Sequence, residues 1–121
     1  MEYFKEEEFM CKCGCGINNY NKDTARMLDQ ARKVANIPFK INRACSCPSH
    51  NKKVGGSDTS SHISTKKIEC TAFDISCTNS NDRFKMIEAL YLVGFNRIGI
   101  AKSFIHVDND KTKPKDLIWV Y

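Results

Sequence analysis

No apolar run in the chain approaches the roughly 20 residues that a membrane-spanning helix needs, so no span is expected. The N-terminus, Met1-Glu2-Tyr3-Phe4-Lys5-Glu6-Glu7-Glu8, is acidic and lacks the apolar stretch of a signal peptide. The expectation is cytoplasmic synthesis, and the chain could equally be one domain of a longer protein. Internal repeats, low-complexity stretches and linkers are missing, which predicts a single domain over residues 1–121. Histidine is scarce, with only His50, His62 and His106. Basic residues are scattered, with no basic stripe interleaved with aromatics, so a nucleic-acid partner is not expected.

What is present is a 121-residue chain, long enough for a modest core, with 41% hydrophobic residues and a net charge of +5. That mild excess suits an anionic partner such as a cell-wall polymer, RNA or a phospholipid surface, or simply marks a solvated surface with spare lysines. Seven cysteines are an odd number, and without a secretion signal they read as free or metal-binding thiols rather than a disulfide framework.

Residues 22 to 36 read as a helix. Ala25, Leu28, Ala31 and Ala35 recur at helical spacing, Asn21 suits the N-cap and Pro38 ends the segment. Residues 38 to 43 read as a strand through Phe39 and Ile41, and residues 44 to 68 as mostly loop. A strand over 71 to 77 follows. Next comes a helix over 80 to 93 with Phe84, Ile87 and Leu90/Tyr91 on one face and Gly94 just past its end. Short strands close the chain near 97–101, 104–108 and 117–121, the first two able to pair through Lys102-Ser103. Helices set between short, closely spaced strands predict an α+β domain with a central, mainly antiparallel sheet and helices packed on it.

Two strands carry polar residues where the alternation expects apolar ones. Asp74 lies within Ala72-Phe73-Asp74-Ile75, and His106 within Phe104-Ile105-His106-Val107-Asp108. An acid in an apolar strand is costly to bury unless it is paired or bound to a cation. His62 ends a loop rich in Gly and Ser. Two imidazoles and a carboxylate suit a catalytic zinc, which typically keeps three protein ligands and a water. His106 and Asp108 share a strand face, roughly 6–7 Å apart, making Asp108 a candidate base; its other reading is a carboxylate that orients a histidine.

Taken in order, Asn51-Lys52-Lys53-Val54-Gly55-Gly56, Ser60-Ser61-His62, Ala72-Phe73-Asp74-Ile75 and Phe104-Ile105-His106-Val107-Asp108 resemble the zinc D-alanyl-D-alanine carboxypeptidases. These peptidoglycan peptidases share their fold with the hedgehog signalling domain. The opening Glu8-Phe9-Met10-Cys11-Lys12-Cys13-Gly14-Cys15-Gly16 resembles a bacterial and phage branch. The resemblance implies zinc held by His62, Asp74 and His106, with Ser60 facing the substrate. It implies a hedgehog/DD-peptidase-like fold and hydrolysis of peptide bonds in peptidoglycan stem peptides, by a carboxypeptidase or an endolysin-type endopeptidase. A monomer acting on the wall after release, or as part of a phage or larger protein, is the matching expectation.

The departures are specific. The step from His62 to Asp74 is twelve residues, longer than in the family, and lacks its usual glycine. The family's arginine before the Cys-Pro-x-His-Asn segment is replaced by Ser46, leaving Arg43 as the nearby candidate to stabilise an oxyanion or as a surface residue. A glutamate that some relatives use as base is replaced by Ser103, which leaves Asp108 or, less favourably, Glu69. These losses motivate an alternative, a non-catalytic zinc-containing cell-wall or protein-binding module of the same fold. His50 reads as a loop residue capping backbone groups, or as a further contact to metal or substrate. The crowded Cys11, Cys13 and Cys15, and the pair Cys45 and Cys47, read as buried reduced thiols. A thiolate zinc module is a further reading, against which their one-residue spacing counts.

Overall fold

A computed structural model describes all 121 residues. Helix α1 (Lys22–Ala35) is followed by strand β1 (Ile41–Arg43) and a short helix α2 (Pro48–Lys53). Strand β2 (Ala72–Ser76) and helix α3 (Ser80–Leu92) come next, then strands β3 (Arg97–Ile100), β4 (Phe104–Asp108) and β5 (Leu117–Val120). The strands form one sheet in the order β1-β2-β4-β3-β5, antiparallel except for the parallel β3–β5 pair. The α+β expectation and the β3–β4 hairpin therefore hold. No helix is long and apolar enough to cross a membrane.

Alternation gives the sheet two different faces. Phe73 and Ile75 of β2, Ile105 and Val107 of β4, and Ile98 of β3 enter the core. They meet Ala25, Leu28 and Ala31 of α1 and Met86, Ala89 and Leu90 of α3. The intervening residues, Asp74, His106, Asp108, Arg97 and Trp119, fall on the opposite face. The N-terminal segment belongs to the core as well: Phe9 is completely buried, with its ring 5.0 Å from those of both Tyr20 and Phe73.

Asn21 caps α1, accepting from the Thr24 N–H at 2.9 Å, a bond of a kind that stabilises a helix by about 1 kcal/mol. Three expectations need correction. The first strand is shorter than residues 38 to 43. The segment after it contains α2, started by Pro48 at its first turn. The buried face of α3 is Met86, Ala89 and Leu90, whereas Phe84 and Tyr91 are each 70% exposed. α3 packs on α1, and the face it turns inward is the one carrying Met86, Ala89 and Leu90.

Candidate metal centre

Strands β2 and β4 set Asp74 directly opposite His106 in their antiparallel register, and β1 sets Arg43 opposite Asp74. His62 arrives from the irregular segment before β2. This segment is tied to residue 46 by two backbone bonds, Ser46 N–H to the His62 carbonyl and Ser64 N–H to the Ser46 carbonyl, both 2.8 Å. The potential ligand atoms of His62, Asp74 and His106 all lie within 4.8 Å of one another. The longer step from His62 to Asp74 is absorbed in the loop between them, where the Thr65 N–H bonds the Ile68 carbonyl.

The hydrogen bonds behind the cluster set the tautomers. His62 Nδ1 lies 2.8 Å from the Ala44 carbonyl oxygen, which can only accept, so Nδ1 carries the proton. His106 Nε2 lies 2.7 Å from Asp108 Oδ2 and donates to that carboxylate. Neutral rings then turn bare nitrogens toward Asp74 Oδ1, at 3.2 Å for His62 Nε2 and 2.9 Å for His106 Nδ1. Three lone-pair donors converging on one point repel unless a cation lies among them. The nitrogen–oxygen separations of 3.2 and 2.9 Å approach the roughly 3.3 Å between donors of a tetrahedral centre with ligands at about 2.0–2.2 Å. The residues thus fit a zinc ion.

The electrostatics agree. Burial alone would raise the Asp74 carboxyl, but the two imidazoles set against it outweigh burial and hold the group well below the usual carboxylate range. Burial would lower His106, yet the carboxylates of Asp108 and Asp74 at its two nitrogens raise it above an ordinary imidazole. Both shifts express one need, positive charge between the rings and the carboxylate.

Asp108 does not occupy the position of a base. It is fully buried, its Oδ2 sits on the ring edge of His106 away from Asp74, and its Oδ1 accepts from Arg97 Nε at 2.7 Å. Burial would raise its pKa; the bonds from His106 and Arg97 hold it below the ordinary value. Its role is to orient His106. Glu69 lines a separate cleft and accepts from Asn21 Nδ2 at 3.2 Å. His50 lies in α2, outside the cluster.

A cleft of about 360 Å³ opens over the cluster, lined by Arg43, Ser60, Lys113, Trp119 and Tyr121 among others. Arg43 is held there by Ser46 and Asn51: its Nε donates to Ser46 Oγ at 2.9 Å and its Nη2 to Asn51 Oδ1 at 2.7 Å. The serine in place of the expected arginine anchors an arginine from the neighbouring strand. Ser60 borders the cleft and its Oγ accepts from the His62 N–H at 3.2 Å. A larger cleft of about 550 Å³, shared at Ser60 and Ser61, continues the surface on one side.

Several cleft residues were not anticipated. Arg97 supports Asp108, and its guanidinium stacks 5.2 Å from the Trp119 ring centroid. Trp119 in turn lies 5.4 Å from His106, over Gly99, where an added Cβ would come within 2.7 Å of the indole. An arginine in the otherwise apolar Arg97-Ile98-Gly99-Ile100 was the available signal, of the same kind that marked Asp74.

Two histidines of fixed tautomer and a carboxylate, converging on the sheet of an α+β domain, make a candidate metal centre. The chain belongs to the peptidase M15 family, whose model matches residues 2–108. That match covers the histidine–aspartate cluster and ends at Asp108, before Lys113, Trp119 and Tyr121. No curated protein matches the chain. Membership makes the protein a peptidase of a zinc-dependent family acting on a peptide substrate.

Proposed function

We propose that the protein is a zinc metallopeptidase that hydrolyses peptide bonds in peptidoglycan stem peptides, with His62, Asp74 and His106 as the ligands. The observation that carries this reading is the convergence of His62 Nε2, His106 Nδ1 and Asp74 Oδ1, with both ring protons committed on the far side. A zinc ion held there supplies Lewis acidity toward a carbonyl and acidifies water near neutral pH. Arg43, fixed by Ser46 and Asn51 at the cleft wall, offers a guanidinium to the negative charge that develops on a scissile carbonyl oxygen. Ser60 borders the path of the peptide. Trp119 covers the side of His106 and limits the access of water to it. The polar surface continuing past Ser60 and Ser61 suits an extended peptide. Action on the wall after release, or as part of a phage or larger protein, goes with this reading.

One observation favours a second reading, a non-catalytic wall-binding module. The only carboxylates lining the metal cleft are Asp74, engaged by both histidines, and Asp108, engaged by His106 and Arg97. The cleft also holds Lys113, whose Nζ donates to Ser61 Oγ at 2.9 Å, and Tyr121. The test is zinc content and hydrolysis of a purified stem peptide by wild type and by His106→Ala. The peptidase reading expects turnover that vanishes, along with this zinc, in the variant. Zinc binding without turnover of any stem peptide would establish the binding module instead.

A further inference from the structure

A second group of donors lies away from the cleft. Cys11, Cys13, Cys15 and Cys47 place their sulfurs within 4.8 Å of one another. Cys11 Sγ is 3.5 Å from Cys13 Sγ, which is 3.7 Å from Cys47 Sγ. All four are free thiols, and the separations far exceed an S–S bond of about 2.05 Å. They approach the edge of a tetrahedron of thiolates around zinc, about 3.8 Å for metal–sulfur bonds of about 2.3 Å. We propose that these four cysteines form a second, structural zinc site that clamps the N-terminal turn to the start of α2.

The backbone is shaped for this. In an extended chain Cys11, Cys13 and Cys15 would be spaced by roughly 6–7 Å on one face. Gly14 and Gly16 instead take φ of +86° and +83°, and the Cys11 N–H bonds the Ile17 carbonyl at 2.9 Å, closing the segment into a turn. The fourth sulfur comes from a distant part of the chain, brought alongside by the Cys45 N–H bond to the Phe9 carbonyl at 3.0 Å. Two backbone donors point at the sulfurs: Cys47 N–H to Cys11 Sγ and His50 N–H to Cys47 Sγ, both 3.4 Å. Amide donors of this kind orient and stabilise thiolate ligands. Cys13 and Cys15 are exposed, which corrects the expectation of buried thiols acting as small hydrophobes. Cys11 and Cys45 are buried as expected, and so are Cys70 and Cys77 outside the cluster.

Four sulfurs with no oxygen or imidazole donor select a soft or borderline metal, and a closed set of four cysteine thiolates is a common form of structural zinc site. On binding, four S–H bonds are replaced by four metal–sulfur bonds and the protons leave to solvent. The clamp reaches the reaction cleft indirectly. Cys47 caps α2, Asn51 of α2 holds Arg43, and Ser46, next to Cys47, holds it too.

The test is metal stoichiometry of the whole chain purified under reducing conditions. Wild type should hold two zinc equivalents, Cys13→Ser and Cys15→Ser one each, and His62→Ala one. Replacing zinc by cobalt should add thiolate-to-cobalt charge-transfer absorption in the near ultraviolet, kept in His62→Ala and lost in Cys13→Ser. This readout on wild type and His62→Ala decides the matter even where a cysteine variant fails to fold. Cobalt-loaded wild type without the charge-transfer band, or a single zinc equivalent in wild type that His62→Ala loses, overturns the site. So does a Cys13–Cys47 disulfide found in the reduced preparation. Because the band reports sulfur alone, its outcome is independent of whether the histidine cluster hydrolyses peptides.

Discussion

The histidine–aspartate cluster stands on β2 and β4 in the middle of the sheet, while the thiol cluster stands on a turn near the N-terminus and the first residues of α2. In the first, both histidines are aimed by something rigid behind them: a carbonyl behind His62, and a buried carboxylate–arginine pair behind His106. In the second, two glycines at positive φ and two amide donors do the aiming, and half of the sulfurs face solvent. The sheet site is therefore organised by the core before any ion binds. The turn site has much less holding it in place, and the ion itself supplies part of the organisation.

Removing Arg97 tests the rigid half most severely. Arg97→Ala leaves the Asp108 carboxylate buried with only His106 and the Asp110 N–H to answer it, and also removes the bond to the Pro114 carbonyl and the stack on Trp119. Loss of one partner of a buried pair costs about 3–5 kcal/mol, so urea denaturation should show a loss of that size. A loss below about 1 kcal/mol, the range of exposed pairs, would mean that the sheet site does not depend on the buried pair.

Asp108→Asn is a gentler cut at the same support. The carboxylate that takes the His106 Nε2 proton becomes an amide that presents either an acceptor or a donor to that nitrogen. Zinc affinity at the histidine cluster should fall about 10–100-fold, measured by competition with a chelator, while the thiol site keeps its affinity. Equal weakening of both sites would show that the substitution acts through global stability rather than through His106.

The contrast between the sites also explains which of them could be read from the sequence. Asp74 and His106 interrupt strict apolar alternation, and an ionisable residue in a strand core must be answered by charge, so the strands point to the site. The caps and periodicity of α1 and the hairpin of β3 and β4 are local features and were legible for the same reason. The burial face of α3 was not, because it depends on how α3 packs on α1, a partner far away in sequence. The role of Asp108 was half legible: alternation put it on the face of His106, but only the tertiary pairing with Arg97 shows which edge of the ring it serves. Ser46 looked like a loss, and its function emerges once β1 sets Arg43 within its reach. The thiol cluster was least legible. One-residue cysteine spacing argues against a common metal under strand or helix geometry, and the glycine dihedrals that override this are a property of the folded turn.

Those dihedrals give the smallest and most selective prediction. At Gly14 an added Cβ would meet no atom within 4 Å, so Gly14→Ala introduces no clash and acts through backbone strain alone. A left-handed conformation costs an L-residue roughly 1–2 kcal/mol, and near 1.4 kcal/mol that amounts to about tenfold in a binding constant. Where the thiol site must hold the turn in that conformation, zinc at the cysteines should weaken by about tenfold, read from the cobalt charge-transfer titration. The histidine cluster, more than one element away and set by the sheet, should keep its affinity. An unchanged thiol-site affinity would show that the turn relaxes freely around the substitution. The four sulfurs would then owe their convergence to the packing of Phe9 and the Cys45 backbone bond rather than to the glycines.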